Sequence, residues 1–175
     1  MNIKELSLSA IFAGLYAALV LVLGYFSFGP VQLRVADCLI PLAALLGWSV
    51  VAGVTVGCFI ANAFFMIGIL DVAFGPIANL IAATTILLLR KRPFLACVVG
   101  SLPIGLIVGG YLWLYVPPPS IFGLPLPIWA ATVISITIST LITVAVIGYS
   151  LLKALSKPGI IALLESYGLA IYIKK

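Results

Sequence analysis

Histidine is absent from this 175-residue chain. That excludes His-ligated zinc and haem and any histidine general base. No GxxxxGK(S/T) occurs, so the chain is not expected to hydrolyse ATP itself. GxGxxG and GxSxG are missing as well. Charge is scarce: 7% of the residues are Asp, Glu, Lys or Arg, where a soluble domain carries about a quarter. The net charge of +5 is not a nucleic-acid footprint, because the basic residues sit at the ends of apolar runs and are not interleaved with aromatics on a polar face. Cysteine is limited to Cys38, Cys58 and Cys97. All three fall inside apolar runs with no framework spacing, so they read as small buried hydrophobes and not as a disulfide scaffold.

Apolar residues make up 65% of the chain. A soluble fold of this size cannot hide that much apolar surface, whereas lipid solvates it directly. The expectation is an all-α integral membrane bundle in one domain, 1–175. Six spans are read, at 6–26, 31–46, 49–69, 71–89, 94–116 and 127–152. The breaks are Gly29-Pro30, Gly47, the Arg90-Lys91-Arg92-Pro93 loop and Pro117-Pro118-Pro119, which cannot continue a helix. The first run superficially resembles a signal peptide but has no clear cleavage site, so it reads as a retained helix. Six spans put Lys4, the Arg90–Arg92 cluster, Lys153, Lys157, Lys174 and Lys175 on one side. The positive-inside rule then makes both termini cytoplasmic and the protein a multi-pass cell-membrane protein. Residues 157–175 are apolar but short, an interfacial helix or a strand-like tail.

An ionisable group in mid-bilayer costs about 2.5–3.5 kcal/mol on insertion scales, so such groups are functional candidates. Arg34 and Asp37 lie three apart in the second span, on one face if helical. They are either a ligand site or an ion pair that pins the bundle. Asp71, Gly75 and Asn79 share one face of the fourth span, although Asp71 also suits an N-cap. Asn62 needs a partner across helices and points inward, as glue or as a ligand-binding amide. Depth alone places Arg34, Asp37, Asn62 and Asp71 near one outward-facing pocket. Thr132, Ser135, Ser139 and Thr143 form a hydroxyl stripe that reads first as helix packing. Gly53/Gly57 and Gly105/Gly109 read as close helix contacts. Trp113, Tyr115 and Trp129 suit an aromatic belt or a stacking wall for a flat ligand. In the first span, Ala13 and Ala17 form AxxxA, with Ala10, Gly14 and Ala18 as a second small-residue row. These rows serve packing within the bundle or docking to another membrane subunit.

The stretch Gly29-Pro30-Val31-Gln32-Leu33-Arg34-Val35-Ala36-Asp37, with Leu39-Ile40-Pro41-Leu42 after it, resembles the signature of QueT-type transporters. The resemblance continues through Gly53-Val54-Thr55-Val56-Gly57-Cys58-Phe59-Ile60-Ala61-Asn62 and Asp71-Val72-Ala73-Phe74-Gly75-Pro76-Ile77-Ala78-Asn79-Leu80. It covers about residues 29–90. Beyond Arg90 it rests on hydropathy and on Gly110-Tyr111-Leu112-Trp113.

The resemblance implies the substrate-binding subunit of an energy-coupling factor (ECF) transporter, a six-helix bundle with its ligand near the outer face. Such a subunit docks on a transmembrane coupling subunit that carries two cytoplasmic ATPases. The family's small-xxx-small docking motif falls on Ala13 and Ala17. The implied ligand is a 7-deazaguanine precursor of queuosine, with no cofactor. Its amidine-like edge suits Asp37 or Asp71, its ring carbonyl and adjoining N–H suit Asn62 or Asn79, and aromatics such as Trp113 suit its faces. Arg34 would orient a carboxylate or donate to the carbonyl. The alternative is a stand-alone proton-coupled carrier for a nucleobase-like or vitamin-like molecule. A membrane enzyme using Asp37 and Asp71 as acid and base, or a purely structural subunit, ranks lower.

Overall fold

A computed structural model describes residues 3–28, 32–117 and 126–173. The Gly29-Pro30 turn, Pro118, Pro119, Lys174 and Lys175 lie outside the described residues. The described chain is helical, with no strand among its residues.

Five helices are long and apolar enough to cross a membrane: α1 (Ile3–Val22), α4 (Trp48–Phe65), α5 (Ile69–Leu88), α6 (Pro93–Leu112) and α7 (Ile128–Leu155). Twenty residues at 1.5 Å each give roughly the 30 Å of a hydrocarbon core. Two short helices lie between α1 and α4: α2 (Gly24–Ser27) and the apolar α3 (Val35–Leu46). The last helix is α8 (Pro158–Ser166), with Pro158 in its first turn, where a missing N–H costs nothing.

The second expected span is where structure and sequence reading part. The helix begins only at Val35, and Val35–Leu42 is wound as a 3-10 helix before one α turn at Ala43–Leu46. Together these rise roughly 22 Å, less than a full span. Pro41 is one cause, because its ring clashes with the i−4 carbonyl of an α-helix. Arg34 is the N-cap residue, so it does not share a helical face with Asp37. The segment packs against α4. Phe28 packs on Phe65 at one end of α4, with ring centroids 4.4 Å apart, and Leu46 adjoins Trp48 at the other. The π-wound part of α7, Leu141–Gly148, packs against this 3-10 segment. A Cβ on Gly148 would come within 2.7 Å of Pro41 Cγ and 2.9 Å of the Cys38 carbonyl oxygen.

Helix α1 packs along α4, α5 lies against α4 and α6, and α6 packs on α7. Small residues set these distances. A Cβ on Gly57 would come within 2.7 Å of the Ala13 carbonyl oxygen, and one on Gly109 within 2.6 Å of Val133 Cα. Both GxxxG pairs are therefore close helix contacts. In the hydroxyl stripe, Thr132 and Thr143 donate to their own helix's carbonyls, at Ile128 and Ser139.

The tail ties one end of the bundle together. Helix α8 buries no residue, and beyond it the chain turns at Gly168, whose φ is +75°. The Tyr172 N–H donates to the Leu45 carbonyl at 2.8 Å. Arg90 Nε donates to the Tyr172 carbonyl at 3.1 Å, and Lys4 Nζ to the Tyr167 carbonyl at 3.0 Å. The Tyr172 ring lies against Gly47, whose φ of +70° and ψ of −144° suit only glycine.

Candidate functional site

Polar side chains are sealed into the half of the bundle where α4 hands over to α5. Arg34, Asp37, Asn62, Asp71 and Asn79 are all buried. Each arrives from a different local cause. Asp37 sits in the first turn of the 3-10 segment. Asn62 lies in the last turn of α4, whose end is capped by the Met66 N–H donating to the Asn62 carbonyl at 2.8 Å, with Met66 left-handed at φ +46°. Asp71 is in the first turn of α5 but caps no backbone with its side chain. Asn79 lies two turns further on.

Two hydrogen-bonded chains hold these groups. Asn79 Nδ2 donates to the Tyr16 hydroxyl at 2.9 Å, and that hydroxyl donates to Asp37 Oδ1 at 2.5 Å. In the second chain, Tyr111 donates to Asp71 Oδ1 at 2.8 Å, and Asn62 Nδ2 donates to the Asp71 carbonyl at 2.9 Å. Gly75 makes room for this, since a Cβ there would collide with Asn62 Nδ2. Arg34 interacts electrostatically with groups of both chains, Tyr16 and Asp37 in the first and Asp71 in the second. Its Nη1 donates to Cys58 Sγ at 3.5 Å, and its Cζ stands 5.1 Å from the Phe28 ring centroid, a cation–π distance. Asp37 is thus bonded to Tyr16, and of the two alternatives for Arg34 and Asp37 the ion pair is not formed among the described residues. Cys58 is an acceptor for Arg34 as well as a buried hydrophobe.

What remains unpaired is informative. Ser27 Oγ, Gln32 Nε2, Arg34 Nη2, Asn62 Oδ1 and Asp71 Oδ2 are buried without a hydrogen-bond partner. Buried polar groups are almost always paired, and one left unmade costs about 1–3 kcal/mol, more if charged. Two acceptors, from Asn62 and Asp71, and one charged donor, from Arg34, remain on residues whose other atoms are held in place.

Trp113 does not join the cluster. It caps α6, is 38% exposed, and donates through Nε1 to the Gly110 carbonyl at 2.9 Å. Ala13 and Ala17 are buried, with Ala13 in the α1–α4 contact opposite Gly57. The sequence reading missed Tyr16, Tyr111 and Gln32. A tyrosine in mid-span is the signal for Tyr16, because a phenol there needs a polar partner. The small residues around it drew the reading toward packing instead.

Helices of membrane-spanning length around a buried polar cluster define a polytopic membrane protein. The chain belongs to the QueT transporter family, whose family model matches residues 6–157. It is a transport protein and not an enzyme. No curated protein and no solved structure matches it.

Proposed function

We propose that this chain is the substrate-binding subunit of an ECF-type transporter for a 7-deazaguanine precursor of queuosine. The observation that carries the reading is the unpaired set of Asp71 Oδ2, Asn62 Oδ1 and Arg34 Nη2. A 7-deazaguanine presents N1–H and an exocyclic NH2 on one edge, with a ring carbonyl next to N1. The carboxylate and the Asn62 oxygen accept from that edge, and Arg34 donates to the carbonyl. Asp37, bonded to Tyr16, and Asn79 back the site and hold Tyr16 in place.

The chain carries no nucleotide-binding loop, so the reading places ATP hydrolysis in two cytoplasmic subunits joined by a transmembrane coupling subunit. The test is uptake of radiolabelled 7-deazaguanine by cells expressing this chain with and without the coupling and ATPase subunits. Uptake is expected only with them. Full uptake by the chain alone favours the proton-coupled carrier with a carboxylate as its proton site.

In this reading the traverse from Phe28 to Leu46 is the second of six crossings. Both termini and the basic loop then face the cytoplasm, with α8 at the inner interface. A cysteine placed at Lys91, which is exposed, is expected to stay unlabelled by an impermeant maleimide added to intact cells, and to label after permeabilisation. The native cysteines are all buried and give little background. Labelling of intact cells would reverse the orientation.

Docking on the coupling subunit is placed on α1. Ala13 lines a hollow of about 230 Å³ with Leu6, Ser9, Ala10, Ala52 and Val56. Ala10, Gly14 and Ala18 form the exposed row beside it, so this row complements Ala13 and Ala17, which are both buried. A Cβ on Gly14 meets nothing within 4 Å. Gly14→Leu is expected to cut co-purification with the coupling subunit while ligand binding persists. Unchanged co-purification would remove α1 from the docking surface.

A further inference from the structure

We infer that Gln32 is a specificity-determining ligand contact, its carboxamide reading a ring lactam beside Arg34; the inference rests on the proposed 7-deazaguanine site. Gln32 combines two unfavourable features. Its φ of +47° lies in the left-handed region, which side chains other than glycine, asparagine and aspartate rarely adopt. It is also 6% exposed, with Nε2 lacking any hydrogen-bond partner. A glutamine kept for the fold would pair its amide, and a residue kept for the turn would be glycine or asparagine. Strain and an unpaired polar group on one residue mark a position held for something other than stability.

The turn ties Gln32 to the charged donor. The Arg34 N–H donates to the Gln32 carbonyl at 3.0 Å, so the two residues flank a single tight turn. The Phe28 ring centroid stands 5.1 Å from the Arg34 Cζ. Arg34 can only donate. A lactam needs a donor for its C=O and an acceptor for its adjoining N–H, and a carboxamide carries both. Gln32 thus brings its unpaired Nε2 as a second donor for the lactam C=O, and its oxygen as an acceptor for the adjoining N–H, on the same short stretch of backbone as Arg34. In 7-deazaadenine an amino group stands where the carbonyl is, so Arg34, which can only donate, would face a donor, and the carboxamide would have to turn over to pair.

The experiment compares wild type, Gln32→Gly and Gln32→Glu as full chains in detergent, by titration calorimetry with 7-deazaguanine and 7-deazaadenine, and by thermal unfolding without ligand. Gln32→Gly relieves the backbone and removes the amide, so its Tm is expected to rise while affinity for 7-deazaguanine falls by about ten- to a hundred-fold. Gln32→Glu keeps the size but loses the donor, so a similar loss and a narrowed preference over 7-deazaadenine are expected. Both variants binding within threefold of wild type would overturn the inference, as would a lowered Tm with unchanged affinity in Gln32→Gly. If Gln32→Gly does not fold, Gln32→Glu decides alone. A wild type that binds no 7-deazaguanine sinks the proposed ligand and this inference together. A wild type that binds, with variants that bind equally, sinks only this one.

Discussion

Asp71→Asn is expected to lower affinity for 7-deazaguanine by about thirty-fold to several-hundred-fold, against a smaller loss for Asp37→Asn. The difference comes from what each carboxylate has left to offer. Asp71 gives Oδ1 to Tyr111 and keeps Oδ2 unpaired and buried. In the proposed complex Oδ2 accepts an N–H from the ligand edge. Asparagine removes the charge and, with its oxygen kept on Tyr111, turns that acceptor into a donor facing another donor. Losing a charged hydrogen bond and leaving a buried donor unmet costs roughly 2–4 kcal/mol, which is the stated range of affinity. Asp37 is committed to Tyr16, and an asparagine oxygen can still accept from that hydroxyl. Its substitution should show mainly as a lower Tm. Titration calorimetry and thermal unfolding of the solubilised proteins measure both effects. If neither variant loses affinity, the carboxylates are not the ligand's acceptors, and Asn62 and Asn79 inherit the role.

Gly57→Leu is expected to be strongly damaging in the α1–α4 contact. Even the first carbon of the new side chain would meet the Ala13 carbonyl oxygen at 2.7 Å, Tyr16 Cβ at 2.8 Å and Ala13 Cα at 3.1 Å. Two of these are backbone atoms, so the helices must separate. Overpacking costs about 1–3 kcal/mol where side chains can adjust, and occasionally more; here they cannot, so the upper end or beyond is expected. Separation also shifts Tyr16, and with it the Tyr16–Asp37 bond, so ligand binding should fail together with stability. Gly14→Ala is the control on the exposed side of α1. Nothing lies within 4 Å of its new methyl group, and alanine is the better helix former by about 1 kcal/mol, so Tm should hold or rise. Equal thermal stability of Gly57→Leu and wild type in detergent would show that α1 and α4 do not pack this closely.

The sequence made the long helices and the burial of the polar residues legible for simple reasons. Long apolar runs in a chain with so little charge have one stable environment, and each ionisable group inside them stands out. Asp71, Gly75 and Asn79 were readable as one face because α5 is regular through them, despite Pro76. Arg34 and Asp37 were not, because their relation depends on where a helix begins, and a run of apolar residues does not say whether it is wound as α or 3-10. Tyr16 and Tyr111 escaped for a related reason: a phenol counts as apolar in a hydropathy profile until its hydroxyl has a partner, and those partners lie 21 and 40 residues away in the chain. Trp113 was drawn toward the site by its aromaticity, yet its indole N–H is satisfied three residues back. The tail's bonds to Leu45, Arg90 and Lys4 carry no periodic signature at all.

The 3-10 winding of Val35–Leu42 also fixes a length. Eight residues rise roughly 16 Å in this form and roughly 12 Å as an α-helix. The far end of the segment is moored, since the Leu45 carbonyl accepts from Tyr172. Any rewinding toward α geometry therefore appears at the other end, as a retraction of Arg34 by about 4 Å. That exceeds the 3.5 Å contact between Arg34 Nη1 and Cys58 Sγ. Pro41, whose ring opposes the α form at the Asp37 carbonyl, keeps the segment at its longer setting. The reach of the guanidinium into the polar cluster is thus set by a proline two turns away.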